Sequence, residues 1–83
     1  MAYKVTYKKS VIKDLKKIDK TDLKKLVNKI EKEVSQKPES YLVLKGEFAG
    51  LRKYRVGNYR IIYAILNKEV LILRVGHRKE IYL

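Results

Sequence analysis

The stretch from Leu51 to Val75, "LRKYRVGNYRIIYAILNKEVLILRV", decides the fold. It divides into three runs, "LRKYRV", "YRIIYAIL" and "EVLILRV", separated by Gly57-Asn58 and by Asn67-Lys68. Each run is rich in β-branched and aromatic residues, and glycine and asparagine accept the left-handed backbone that a two-residue hairpin requires. The spacing therefore predicts three antiparallel strands in a meander. With both loops tight, Arg55 faces Arg60 across the first hairpin, and Arg60 faces Val75 across the second. Strict alternation then places Leu51, Ile62, Ala64, Leu66, Leu71, Leu73 and Val75 on one side of the sheet, expected to form the core under helices. Tyr54, Tyr59, Ile61, Tyr63 and Ile65 fall on the other side.

Upstream, Ala2 to Tyr7, "AYKVTY", sets Tyr3, Val5 and Tyr7 against Lys4 and Thr6 with the period of a strand. Ser10 is a candidate N-cap for a helix of about two turns, with Val11, Ile12, Leu15 and Ile18 on its apolar side. The "DKTD" run from Asp19 to Asp22 offers the next cap, and Leu23, Leu26, Val27, Ile30 and Val34 form the stripe of a longer helix. Pro38 is expected to end that helix, because the residue before a proline avoids the α region. A loop containing Pro38, Gly46 and Gly50 leads into the strands. The expected class is α+β: an N-terminal strand, a two-helix hairpin, and a three- to four-stranded, mainly antiparallel sheet with the helices on one face. Residues 1–83 form one domain, with no internal repeat and no low-complexity linker.

At 83 residues the chain buries only about 60% of its unfolded surface, so the core is small. The 36% of charged residues would suit a disordered chain, but the 46% of hydrophobic residues recur at regular periods, which indicates a packed fold. The net charge of +12 selects polyanions as partners: nucleic acid, an anionic membrane surface or an acidic protein. Lysine is the only cation of the first 51 residues, whereas Arg52, Arg55, Arg60, Arg74 and Arg78 all lie in the last 32. Arginine makes bidentate contacts to phosphate where lysine acts as a point charge, which directs attention to the C-terminal half. The absence of cysteine excludes a disulfide framework, a thiolate nucleophile and a cysteine-based metal site, and a single histidine, His77, argues against zinc. No metal and no cofactor are expected. No apolar run approaches the ~20 residues of a membrane span, and "MAYKVTYKKS" lacks the apolar region of a signal peptide. The expected compartment is the cytoplasm.

Two guanidinium groups opposed on a sheet, as expected of Arg55 and Arg60, repel by about 0.2–1 kcal/mol when nothing lies between them. An anion between them turns that repulsion into affinity, and a doubly charged transition state gains more than its ground state. The alternative is that each arginine snorkels to solvent or pairs with Glu47 or Glu80. Beyond the last strand, "GHRKEIY" gathers an imidazole (His77), a guanidinium (Arg78) and a phenol (Tyr82). Gly76 permits a bulge or bend there, so alternation does not place Arg78. Cations and a proton-transfer group are what phosphodiester cleavage needs, and His77 alone has an unperturbed pKa near neutrality. Tyr54, Tyr59 and Tyr63 are either stacking platforms for bases or packing residues with wet hydroxyls.

Leu44 to Tyr82, "LKGEFAGLRKYRVGNYRIIYAILNKEVLILRVGHRKEIY", resembles the RelE/ParE superfamily of toxin-antitoxin toxins. The combination of "LKG", "VGNYR" and "VGHRKEIY" carries the resemblance, and the preceding strand and helix pair match the usual order. RelE-type toxins are ribosome-dependent endoribonucleases that cut mRNA in the decoding site, and ParE-type relatives inhibit DNA gyrase; a shared fold does not choose between them. The resemblance to RelE implies catalytic roles residue by residue. Arg60 matches the arginine of the "GYR" motif, which stabilises the transition state, and Arg78 matches the arginine after the last strand, which contacts the leaving group or phosphate. Tyr82 matches the C-terminal tyrosine that orients or activates the 2'-hydroxyl, and His77 stands where some relatives carry histidine and others lysine. Arg52, Lys53, Arg55 and Lys79 are the expected RNA contacts.

The resemblance therefore implies a metal-independent mRNA interferase that uses the nucleotide's own 2'-hydroxyl. Its implied partners are mRNA, the ribosome and a RelB-like antitoxin, with assembly up to a heterotetramer and no membrane contact. A ParE-like gyrase inhibitor without nuclease activity and a non-catalytic RNA-binding domain are the alternatives.

Overall fold

The computed structural model of the protein describes residues 3–45 and 50–77. The runs "LRKYRV", "YRIIYAIL" and "EVLILRV" form β3 (Leu51–Val56), β4 (Tyr59–Leu66) and β5 (Glu69–His77), joined by the two expected tight turns. Gly57 has φ +57° and Asn67 also has φ +57°, so each turn begins with a left-handed residue of a type that tolerates it. β1 (Lys4–Tyr7) lies parallel to β5, and the two-residue β2 (Leu42–Val43) pairs antiparallel with β3. The described sheet thus has five strands in the order β1-β5-β4-β3-β2, rather than the three or four expected. The addition is β2, too short to give a periodic signal inside its loop.

α1 (Lys9–Lys16) and α2 (Lys20–Lys29) cover one face of the sheet. Asp19 caps α2 as expected, its carboxylate accepting from the Thr21 N–H at 3.2 Å. Ser10 does not cap α1: the cap position is Lys8, and Ser10 lies inside the first turn. Nor does Pro38 end the second helix. α2 runs into a π-helical turn over Ile30–Val34, and Pro38 opens a separate 3-10 turn, Pro38–Ser40. Leu26, Ile30 and Val34 recur every four residues, a spacing that drifts around an α-helix; the wider π turn keeps all three buried on the sheet side.

The core lies on the face opposite to the expected one. Tyr54, Ile61, Tyr63, Val70, Ile72 and Val75 meet Val11, Ile18, Leu26, Ile30 and Val34 under the helices, with Tyr59 and Ile65 packed against them. Of the set expected there, only Val75 is present. Leu51, Ile62, Ala64 and Leu71 occupy the other face by their register. Apolar residues alternate on both faces, so periodicity could not rank them. Tyrosine length decides the matter: the rings cross the core and their hydroxyls end on acceptors in the helical layer. Tyr63 donates to the Pro38 carbonyl at 2.6 Å, Tyr59 to Asp22 at 2.8 Å, and Tyr54 to Glu33. Buried apolar area and satisfied hydroxyls thus come from the same side chains.

The second correction concerns register. Arg55 pairs with Arg60 as expected, but Arg60 pairs with Gly76 and not with Val75. The ladder slips by one residue where Ile62 pairs with Arg74 and Tyr63 with Ile72, leaving Leu73 as an insertion on β5. The bulge is therefore at Leu73, upstream of the glycine that suggested one.

Burial pushes the phenols of Tyr7 and Tyr63 up from 10.0 to about 12, helped at Tyr7 by the Glu31 carboxylate. The native state consequently binds more protons than the unfolded chain above pH 10.0. Stability present in full below that pH is lost as pH rises toward about 12. Tyr63→Phe removes one of these protons and one buried hydrogen bond. It is expected to lose about 1 kcal/mol at pH 7 and to flatten the alkaline decline, both measurable by urea unfolding across pH.

Candidate functional site

The face away from the helices carries Lys53, Arg55 and Arg60. Arg60 is half-buried near the start of β4, with its Nε shielded from solvent. Its cross-strand neighbours are Arg55 on β3 and Gly76 on β5. Arg55 is exposed, and its Nε donates to the Gly57 carbonyl at 3.2 Å, which ties the side chain to the turn. Lys53, paired with Ile62, is the next cation on the same face. Two arginines are thus cross-strand neighbours, with Lys53 two residues along β3 on the same face and no side chain at Gly76. The opposed pair follows from the two-residue turn, which leaves the register between Arg55 and Arg60 no freedom.

Other residues expected at the site lie elsewhere. Arg52 belongs to the helix-covered face, where it pairs with Tyr63 and donates from Nη1 to the carbonyls of Glu39 (2.8 Å) and Tyr41 (2.9 Å). It clamps the loop before β2 instead of joining Lys53 and Arg55. His77 pairs with Tyr59, and the two rings meet edge to face with centroids 6.0 Å apart. That contact puts His77 on the helix-covered face, opposite to Arg60. Arg78, Lys79 and Tyr82, with the acidic candidates Glu47 and Glu80, lie outside the described residues. Among the described residues, no group of His, Asp and Glu is arranged to hold a metal ion, and no helix is long and apolar enough to cross a membrane.

A family model described as the ParE toxin of the type II toxin-antitoxin system, parDE, matches residues 5–82. The chain belongs to the RelE/ParE toxin superfamily. Among solved structures, a chain of the toxin-antitoxin complex RelBE2 from Mycobacterium tuberculosis is similar at 32% identity and TM-score 0.88, over 94% of the toxin and 100% of that chain. The RelB-RelE antitoxin-toxin complex from Methanococcus jannaschii contributes a match at 27% identity and TM-score 0.68, over 93% of the toxin and 94% of that chain. A mutant of the E. coli toxin RelE in the free state shares the fold at 24% identity and TM-score 0.78, with coverage of 96% and 87%. No curated protein matches.

On its helix-covered side the toxin has a cleft of about 530 Å³ lined by Asp14, Lys17, Ile18, Tyr59, Arg74 and His77. Sequence reasoning missed one of its lining residues, Asp14. Asp14 accepts from Arg74 through Nε at 3.0 Å and Nη2 at 3.4 Å, and its Oδ2 also accepts from the Val75 N–H at 3.1 Å. An isolated aspartate on a lysine-rich helix gave no signal, because its partners are sixty residues away.

The opposed arginines set a test of the toxin's electrostatics. Replacing Arg55 by Gln removes one of the two opposed charges. The variant is expected to bind single-stranded RNA more weakly, with the slope of log K against log salt reduced by about 0.7. Fluorescence anisotropy at several salt concentrations measures the change.

Proposed function

We propose that the toxin is a RelE-like mRNA interferase, and that Arg60 holds the scissile phosphate. The observation that carries this reading is the juxtaposition of Arg60 with Arg55 on one side and the bare backbone of Gly76 on the other. A phosphate fits such a place: it neutralises the opposed guanidiniums, and no side chain at position 76 bars its approach.

In the reaction, the 2'-oxygen of the upstream nucleotide attacks the adjacent phosphorus and forms the new P–O bond as the P–O5' bond breaks. The products are a 2',3'-cyclic phosphate and a 5'-hydroxyl. One proton leaves the 2'-hydroxyl, and one reaches the departing O5'. Negative charge grows on the non-bridging oxygens between these events, and that is where Arg60 and Arg55 act. Lys53 lies along the same face as a contact to the neighbouring backbone. His77 is left out of the proton transfers, since it lies across the sheet from Arg60. By resemblance to RelE, Arg78 is the proposed contact to the leaving group or phosphate and Tyr82 the proposed group that orients or activates the 2'-hydroxyl, with Lys79 as a further proposed RNA contact. The ribosome supplies the mRNA in a fixed conformation, and the cytoplasm is where the two meet.

The M. tuberculosis, M. jannaschii and E. coli relatives occur in complexes with antitoxins. A cognate RelB-like antitoxin is accordingly the proposed partner, with an acidic segment matching the net charge of +12 and assembly into a heterotetramer. The name of the matching family supports a second reading, inhibition of DNA gyrase without nuclease activity.

Translation of a defined mRNA on purified ribosomes, with cleavage mapped by primer extension, separates the readings. The wild type is expected to cut, and Arg60→Ala to cut about 10²–10³-fold more slowly. Equal cutting by both removes Arg60 from the reaction. Intact mRNA together with inhibited gyrase supercoiling replaces the first reading by the second, and salt-sensitive RNA binding alone leaves a binding domain.

A further inference from the structure

The bulge at Leu73 reverses the phase of everything that follows it in β5. Counting back from the tight Asn67-Lys68 turn without the extra residue, Ile61 would pair with Arg74 and Arg60 with Val75. Arg74 would then point into the helix-covered core, and Val75 would stand beside Arg60. In the observed register Val75 is 1% exposed in the core, and Gly76 faces Arg60.

Two residues flank the C-terminal side of this insertion, Arg74 and Val75, and one carboxylate holds both. Asp14 takes the Val75 N–H and two guanidinium N–H groups of Arg74. Its side chain is only 12% exposed, so the bond from the Val75 N–H is partly shielded from competing water, whereas the Arg74 guanidinium reaches it from the surface. Asp14 belongs to α1, which packs directly on β5. The carboxylate therefore fastens the bulge to the helical layer.

We infer that Asp14 is a positioning residue: by capping the bulge it fixes the strand phase in which Gly76, and not Val75, faces Arg60. A valine there would put a branched side chain about 5 Å from the arginine Cβ, in the space a phosphate needs. The catalytic consequence rests on the function proposed above, whereas the phase control does not.

The experiment joins NMR to kinetics. Hydrogen exchange of the Val75 amide and cross-strand nuclear Overhauser effects between Tyr59 and His77 report the phase; kcat and KM of mRNA cleavage report its use. In D14A, Val75 exchange is expected to quicken by about tenfold or more, and the Tyr59–His77 effects to weaken. The kcat should fall about tenfold or more with KM within about twofold, since groups are displaced while most contacts remain. D14N keeps an acceptor oxygen and retains the cross-strand effects and most of kcat. Arg74→Gln, which leaves the Asp14–Val75 bond in place, also retains them. Unchanged Val75 exchange in D14A overturns the inference, as does loss of the Tyr59–His77 effects in Arg74→Gln or wild-type kcat in a D14A protein whose phase has changed. A wild type that cuts no mRNA overturns the proposed function instead, and the exchange and cross-strand data still decide whether Asp14 holds the phase.

Discussion

One inserted residue on β5 governs how the two faces of this sheet are divided. Up to Ile72 the strand alternates in step with β4; beyond Leu73 it alternates in the opposite sense. Val75 consequently completes the core, Arg74 turns to Asp14, and Gly76 comes to lie beside Arg60. A ladder without the insertion would bury a guanidinium among aliphatic side chains, which is prohibitive without a partner. The bulge and the Asp14 carboxylate are thus parts of one solution, in which helix, strand and cation are fixed relative to each other by a few hydrogen bonds.

Around that constraint the tyrosines divide labour with the arginines. Tyr54, Tyr59 and Tyr63 span from the sheet to acceptors on α2 and the segment after it, so the helical layer is held by both apolar burial and hydroxyl bonds. Arg52 does similar work at the loop before β2. With these groups occupied on one side, the opposite face is left to Lys53, Arg55 and Arg60. Cations on a sheet face have a rigid support, and a binding face assembled in advance loses no free energy to rearrangement when an anion arrives.

The legible parts of the molecule are the local ones. Strand runs, two-residue turns and the Asp19 cap depend on neighbouring residues, so the three C-terminal strands and the Arg55–Arg60 pair could be read directly from "YRVGNYR". The core face was not legible, since Ile62, Ala64 and Leu71 make as plausible an apolar row as Ile61, Tyr63 and Ile72. Nor was the bulge, because nothing about Leu73 marks it as surplus. That omission carried through to the site. The same unbulged register that set Val75 against Arg60 would have put His77 on Arg60's side, and its true place beside Tyr59 follows only once the insertion is known. Arg52 was misread for a related reason: its carbonyl partners belong to a loop with no pattern of its own.

The strand order has a further consequence, for biosynthesis. β5 lies between β1 and β4, although it is the last of the described strands to be made. β1 must wait for it with an edge unpaired, and the loop closed by their parallel pairing spans most of the chain, a slow step for a small domain. Gly76 and the Asp14 clasp arrive with the same strand. A nascent chain that has released its helices and its first hairpin therefore still lacks the assembled face around Arg60. The machinery that produces the toxin meets this face complete only after β5, which lies between β1 and β4, has left it.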